Sequence, residues 1–316
     1  MSIPNMQQAP IPVSLPASVR VFQRGWLSSN NILVSDAQHA ALIDSGYSSH
    51  SAQTVALVRS ALGGQPLDQL LNTHLHSDHC GGNAALQAAY PDMDTLIPPG
   101  HAHAVRPWSA ADLTFEMTGQ SCPPFGFDEV LLPGSTLHLG GLEWQVHAAP
   151  GHDPHSVVLF APQARLLISA DALWENGFGI VFPELEGEDA FDAVGATLDL
   201  IADLDPVSVI PGHGAPFADL AGALKTARAR LDYFQRQPER HRNYAAKVLL
   251  KFKLLEQQTT SVEKLTEWAL ATPYLAQMAR AFKGEAPLAA LVEDWVAQLV
   301  RAGAAEIDGA ALRNRD

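Results

Sequence analysis

The sequence predicts an α/β protein in which two β-sheets lie between layers of helices, followed by a smaller, mainly helical C-terminal domain. Three observations predict it. From Val19 to Pro216 short apolar runs alternate with helical stretches, punctuated by Gly, Pro and Asp. Beyond residue 218 apolar residues recur at the spacing of amphipathic helices. Charge changes at the same place: residues 1–218 hold 5 basic against 22 acidic side chains (−17), and residues 219–316 hold 15 against 12 (+3), within a net charge of −14. A chain of 316 residues suits two domains at about 100–200 residues each. The predicted division is an N-terminal arm over 1–18, an α/β domain over 19–217 and a helical domain over 218–316.

The segments 30–36 (NNILVSD) and 39–46 (HAALIDSG) read as a strand pair. Residues 51–63 read as a helix with Val55, Val58 and Leu62 on one face. Residues 68–73 form a strand, 81–91 a helix ended by Pro91, and 95–99 a short strand. Residues 100–129 are irregular and aromatic-dotted, as expected of an insertion over a site. Three strands follow at 143–151, 156–162 and 165–171, then a helix over 189–206 and a last strand over 207–214. In the tail, Leu220, Leu224, Leu231 and Phe234 stripe one helix, and Tyr244, Val248, Phe252 and Leu255 a second. Thr260 and Glu263 read as a capping box opening a third helix. A fourth spans 286–303, and AAEIDGAALR reads as a hairpin turning at Asp308-Gly309. Helices closing on a hairpin suggest a winged-helix module.

Composition excludes several classes. The chain is 47% hydrophobic and 17% charged with a mean hydropathy of 0.00, and no apolar run approaches the ~20 residues that cross a bilayer. Residues 1–20 lack a basic start followed by an apolar block, so they read as an extended, proline-containing arm and not as a signal peptide. Two cysteines, Cys80 and Cys122, are too few for a disulfide framework, which fits a cytoplasmic location. The acidic first domain repels polyanions, so nucleic acid is disfavoured as a partner and a small-molecule substrate is expected.

Chemistry concentrates in LNTHLHSDHC, residues 71–80, which crowds His74, His76, Asp78 and His79 into six positions. Imidazole and carboxylate together suit a divalent transition metal. Three more donors each follow a strand: His152 in APGHDPHS, Asp171 in LISAD and His213 in VIPGHG. Strand ends on one edge of a sheet share a rim, so these donors can converge.

These motifs, THLHSDH, PGHDPH, SAD and PGHG, resemble the metallo-β-lactamase fold superfamily, in particular glyoxalase II-type thioesterases and lactamase-like nucleases. The resemblance covers roughly residues 20–217 and implies a four-layer αβ/βα sandwich. It implies one metal held by His74, His76 and His152, a second by Asp78, His79 and His213, and Asp171 bridging them. The expected ions are two Zn2+, with iron or manganese as alternatives. The tail is similar to the winged-helix-like tail of the lactamase-like subgroup, where such tails shape the pocket or a homodimer interface. Relatives with Glu at the second position are redox proteins; here that position is His76, which weakens an electron-transfer reading.

Two ions about 3.5–4 Å apart share a water and lower its pKa toward ~7. The expected activity is therefore that of a dinuclear-metal hydrolase using a metal-bridging hydroxide to cleave an ester or thioester of a small molecule. Asp78 would orient the hydroxide, and His155, three residues past His152, is a second catalytic candidate. Trp174, Asn176 and Phe178 are the candidate substrate contacts, and Trp108, Phe115, Phe125 and Phe127 a candidate lid. His101 and His103 repeat the H-x-H spacing without an acidic partner or a strand-end context and are read as surface or lid residues. The rival readings are a metal-dependent endoribonuclease or phosphodiesterase, disfavoured by charge, and a metal-holding ligand sensor.

Overall fold

Side chains alternate across a strand, and this alternation lets one sheet face two cores. In the computed structural model, which describes residues 13–109, 112–281 and 287–315, Ile32 and Val34 of β2 (Asn31–Ser35) face a second sheet while Leu33 between them faces helices. The first sheet runs in sequence order: β1 (Val19–Phe22), β2, β3 (Ala40–Ile43), β4 (Gln69–Leu71), β5 (Asp94–Ile97) and β6 (Glu129–Val130). It is antiparallel from β1 to β3 and parallel from β3 to β6. The second sheet is built from β7 (Thr136–Leu139), β8 (Leu142–Ala148), β9 (Val157–Ala161), β10 (Leu166–Ala170) and β11 (Ser208–Pro211), in the order β11-β10-β9-β8-β7. Trp144, Val146, Leu159 and Ile168 of the second sheet meet Ile43, Leu71 and Leu96 of the first.

Helices cover both outer faces. On the first sheet lie α1 (Ser51–Leu62) and, after the single turn α2 (Ser77–Cys80), α3 (Asn83–Ala89). Val58, Leu62 and Leu86 pack there on Leu33, Leu42 and Leu70. The buried face of α1 is Thr54, Val58 and Leu62, and Val55 is only partly covered. Past α4 (Ala102–Val105), α5 (Phe115–Thr118) and α6 (Phe182–Glu186), α7 (Phe191–Leu204) and α8 (Leu220–Arg236) cover the second sheet. The predicted α/β sandwich is therefore the observed fold. α8, placed by sequence in the C-terminal domain, contributes Leu224, Leu231 and Phe234 to the core over the second sheet.

The remaining chain forms α9 (Pro238–Gln257), α10 (Val262–Ala271), α11 (Pro273–Ala281), α12 (Leu288–Arg301) and a small sheet of β12 (Thr259–Thr260), β13 (Ala305–Asp308) and β14 (Ala311–Asn314), in the order β12-β14-β13. These helices build a core around Trp295, Leu250 and Tyr274 that also takes in Phe182 and Leu185 of α6.

Several local expectations need correction. Ser261, not Thr260, caps α10, accepting from the Lys264 amide at 3.2 Å. Thr260 is held in β12 opposite Leu312. The hairpin pairs Asp308 with Ala311, so its two-residue turn is Gly309-Ala310, with Gly309 at φ 61°. The aromatics of the 100–129 segment are not a lid. Phe115 and Phe125 are buried with Leu75, Cys80 and Ile97, and Trp108 and Phe127 pack against them. Residues 1–12 of the expected arm, residues 110–111 of that segment and residue 286 of the fourth helix lie outside the described residues, and 13–16 carry no regular structure.

Trp144 is fully buried between the sheets. Truncation to alanine removes its whole ring from that core and is expected to cost about 3–5 kcal/mol, read as a lowered midpoint in urea unfolding monitored by circular dichroism.

Candidate metal centre

Four strand ends and one helical turn deliver the site. β4 leads through Asn72 and Thr73 to His74 and His76, and α2 carries Asp78 and His79. β8 leads to His152, β10 to Asp171 and β11 to His213. The structure brings all seven side chains together. His74, His76 and His152 form one group of donors, Asp78, His79 and His213 another, and His74, His79 and Asp171 a third. Within each group the donor atoms lie within 4.8 Å of one another. Asp171 stands between the first two: Oδ1 is 3.4 Å from His79 Nε2, and Oδ2 is 3.4 Å from His152 Nε2 and 3.8 Å from His213 Nε2. Asp78 Oδ2 accepts from His213 Nε2 at 3.1 Å. His76 Nδ1 faces His152 Nε2 at 2.8 Å.

The backbone is bent to make this possible. Ala170 takes a left-handed φ of 45° immediately before Asp171, at a register shift between β10 and β11. A Cβ at position 212 would lie 2.1 Å from Asp171 Oδ1, so only glycine lets the carboxylate sit there.

Burial and neighbours set the protonation states. Burial pushes the His74 imidazole well below its ordinary range and His76 down to about 3, so both are neutral with a lone pair to donate. Burial works against the charged form of His79 too, but the carboxylates of Asp44 and Asp171 outweigh it and raise the imidazole well above its usual value. Burial raises Asp171, and the imidazoles of His79 and His213 outweigh it, holding the carboxyl well below the usual range. The buried Nε2 atoms of His74 and His79 have no hydrogen-bond partner among the described residues. Such orphaned nitrogens are costly, and a divalent cation fits them: His74 is already neutral, and an ion would displace the Nε2 proton of His79 while Asp44 keeps the proton on Nδ1.

Residues 24–213 match the metallo-beta-lactamase superfamily. The chain belongs to that superfamily. A hydroxyacylglutathione hydrolase of Anaeromyxobacter dehalogenans (strain 2CP-C) is 32% identical over 220 residues, 67% of this chain and 74% of that protein. One of Dechloromonas aromatica (strain RCB) is 30% identical over 156 residues, so this chain spans 46% of that relative's length. Among solved structures, a metallo-beta-lactamase family protein of Thermus thermophilus shares the fold at TM-score 0.57 and 19% identity, covering 96% of this chain and all of the other. Another, solved in a di-iron-bound form, is 28% identical at TM-score 0.50, covering 66% of this chain and 98% of its own.

In this superfamily member the other site candidates fall in different places. Trp174 lines the cleft and donates from Nε1 to Asp171 Oδ1 at 3.2 Å. Asn176 lies on the rim of an adjoining cavity. Phe178, expected to touch substrate, is 1% exposed and packs in the core against Phe234. His155 is exposed, edge-on to His101 with ring centroids 4.7 Å apart, and does not line the cleft.

Sequence reasoning missed the residues that orient the donors. Asp44, at the end of β3 with φ 59°, accepts from Thr73 N, Thr73 Oγ1 and His79 Nδ1 at 2.9, 2.8 and 2.7 Å. It thereby fixes the His79 ring with Nε2 turned toward Asp171. Buried Asp153 lies 3.7 Å from His76 Nε2. The strap 179–182 binds two donors: the Ile180 carbonyl accepts from His152 Nδ1 at 2.5 Å, and Gly179 N donates to Asp171 O. The strap is held in turn from α9, where His241 Nε2 accepts from Val181 N at 3.1 Å. Trp26, unremarked in the sequence, stacks on His213 with centroids 5.3 Å apart.

Asp44→Ala is expected to weaken metal binding about 10–100-fold, measured by competition with a chromogenic chelator. Burial, with help from Arg242, lowers His241 to about 4. Its neutral form therefore stabilises the fold fully above the unfolded value near 6.5, and that contribution is lost as pH falls toward 4. The melting temperature of metal-free wild type should fall more steeply from pH 6.5 to 4 than that of His241→Gln, whose amide oxygen keeps the acceptor and does not titrate.

Proposed function

We propose that the chain is a dinuclear-metal hydrolase of an ester or thioester bond in a small molecule, with zinc as the resident metal and iron or manganese as substitutes. The observation that carries this reading is Asp171, whose two oxygens face donors of both outer groups. His74, His76 and His152 would hold one ion, Asp78, His79 and His213 the other, and Asp171 both. Two divalent ions so placed would supply Lewis acidity, to acidify a bound water and to polarise the scissile carbonyl. The chain's own groups do the positioning. Asp44 and Ile180 fix the rings of His79 and His152, Trp174 Nε1 fixes Asp171, and Asp78 is held at the cleft by His213, placed to orient a water. The di-iron-bound form of the 28% identical structure supports a two-ion centre of this kind, and the name hydroxyacylglutathione hydrolase of the sequence relatives, whose substrate is a thioester, supports the bond class.

We read residues 19–217, with α8 packed on their second sheet, as the catalytic domain and the chain from α9 onward as a winged-helix-like tail that closes the pocket. Exposed Glu293 and Asp294 on α12 oppose phosphate approach, which favours a small-molecule substrate over RNA. No helix among the described residues is long and apolar enough to cross a membrane, and from its cysteine usage we read the protein as cytoplasmic.

Elemental analysis is expected to find about two metal ions per wild-type chain, with fewer in Asp171→Ala. Hydrolysis of p-nitrophenyl esters or thioesters should be lost in that variant by about three orders of magnitude or more. Faster cleavage of bis-p-nitrophenyl phosphate than of any ester would favour the phosphodiesterase instead. Less than one ion per chain after zinc, iron and manganese are supplied would refute the two-ion centre.

A further inference from the structure

The helical stripe Tyr244, Val248 and Phe252 has a role that packing does not exhaust. α9 buries Ala245, Leu249 and Leu250 in the C-terminal core, yet it leaves Tyr244, Val248 and Phe252, spaced by four, only partly covered on the wall of the cleft that holds the donors. Trp26 and Trp174 stand on the same cleft, edge to face with centroids 5.4 Å apart, and both rings touch His213. Trp26 is 55% exposed, an apolar surface left open beside a metal-donor side chain. The cleft and an adjoining cavity of about 450 Å³, lined also by Leu255, share these five residues. That volume lies within the usual ~300–1,000 Å³ of small-molecule sites.

Apart from exposed Glu175 and Asn176 at the rim, the charged side chains of this corridor are engaged within the chain. Lys251 Nζ donates to the Ala304 carbonyl, Asn314 Oδ1 and the Arg315 carbonyl of its own chain. Arg230 donates to the Phe178 carbonyl and lies over the Tyr244 ring at 5.5 Å. Glu175 on the rim repels carboxylates. A peptide-like group with several charges would lose its water there and recover few hydrogen bonds, whereas an alkyl chain would cover the exposed rings.

We propose that this corridor takes the acyl chain of the substrate, so that the substrate class is esters or thioesters of extended apolar acids and not hydroxyacyl thioesters of glutathione. The inference rests on the hydrolase reading above. Water adds its oxygen to the acyl carbon, the acyl C–O or C–S bond breaks, and the fatty carboxylic acid and the alcohol or thiol leave. Each methylene drawn into the corridor is worth about a fourfold gain in binding.

Two measurements test it on the full-length, metal-loaded protein. Across p-nitrophenyl acetate, butyrate, octanoate and decanoate, kcat/KM should climb about threefold to fourfold per methylene until the cavity is filled, at least a hundredfold from acetate to octanoate. Val248→Asp should shrink the octanoate-to-acetate ratio at least tenfold, while Val248→Leu keeps it. A flat profile, or a hydroxyacylglutathione turned over faster than every long-chain ester, would overturn the corridor and leave the hydrolase reading intact. Absence of turnover on every ester, thioester and phosphodiester would instead sink the hydrolase reading. Calorimetric titration with butyrate and decanoate decides the corridor in either case. Decanoate should bind at least a hundredfold more tightly to wild type and lose that advantage in Val248→Asp, and equal affinities would refute it.

Discussion

Five imidazoles and two carboxylates drawn into one largely buried cluster set the physical problem to which the surrounding structure is the answer. Each of these groups gives up water, and burial alone would discharge them. The chain opposes that tendency with specific partners. Asp44 and Asp171 keep His79 charged, His79 and His213 keep Asp171 ionised, and the His152 ring is anchored on a backbone carbonyl. What the protein atoms leave unsatisfied, the inward nitrogens of His74 and His79 above all, is what a pair of cations would complete. The strain at Asp44 and Ala170 and the bare Cα of Gly212 serve the same end, because each brings a carboxylate where an ordinary strand end would not.

The C-terminal helices are part of this arrangement. His241 on α9 holds the strap 179–182, and the strap binds both His152 and Asp171. Tyr47 donates to Glu256 at the far end of the same helix and accepts from Ser121, tying α9 to the first sheet and to the segment that brings Thr118 and Gln120 to the cleft. Helix, strap and donors thus form one connected network, and the face of α9 that is not buried becomes a wall of the cleft.

Much of this was legible in the sequence, for physical reasons that also explain the rest. The seven donors stand out because each follows an apolar strand and sits in a short polar turn. The layered sandwich stands out because its strands and helices differ in period. Asp44 was invisible: a single Asp after an apolar run has no spacing that names its partner, and Thr73 and His79 lie far along the chain. Periodicity found the stripe of α9 but says only that a face exists, not that it looks into a cleft. Phe178 leaves the metal rim beside Trp174, and nothing in their sequence separates the ring that enters the core from the ring that stays at the site. The capping residue of α10 shifted by one because Thr260 was claimed by β12, a pairing with residues over fifty positions away.

The central claim is that the donors form two adjacent ion sites joined by Asp171. Anomalous diffraction from zinc-soaked crystals, recorded on both sides of the zinc edge, tests it most directly. Two peaks about 3.5–4 Å apart are expected, one within reach of His74, His76 and His152 and the other of Asp78, His79 and His213, with Asp171 touching both. A single peak, or peaks away from Asp171, would contradict it.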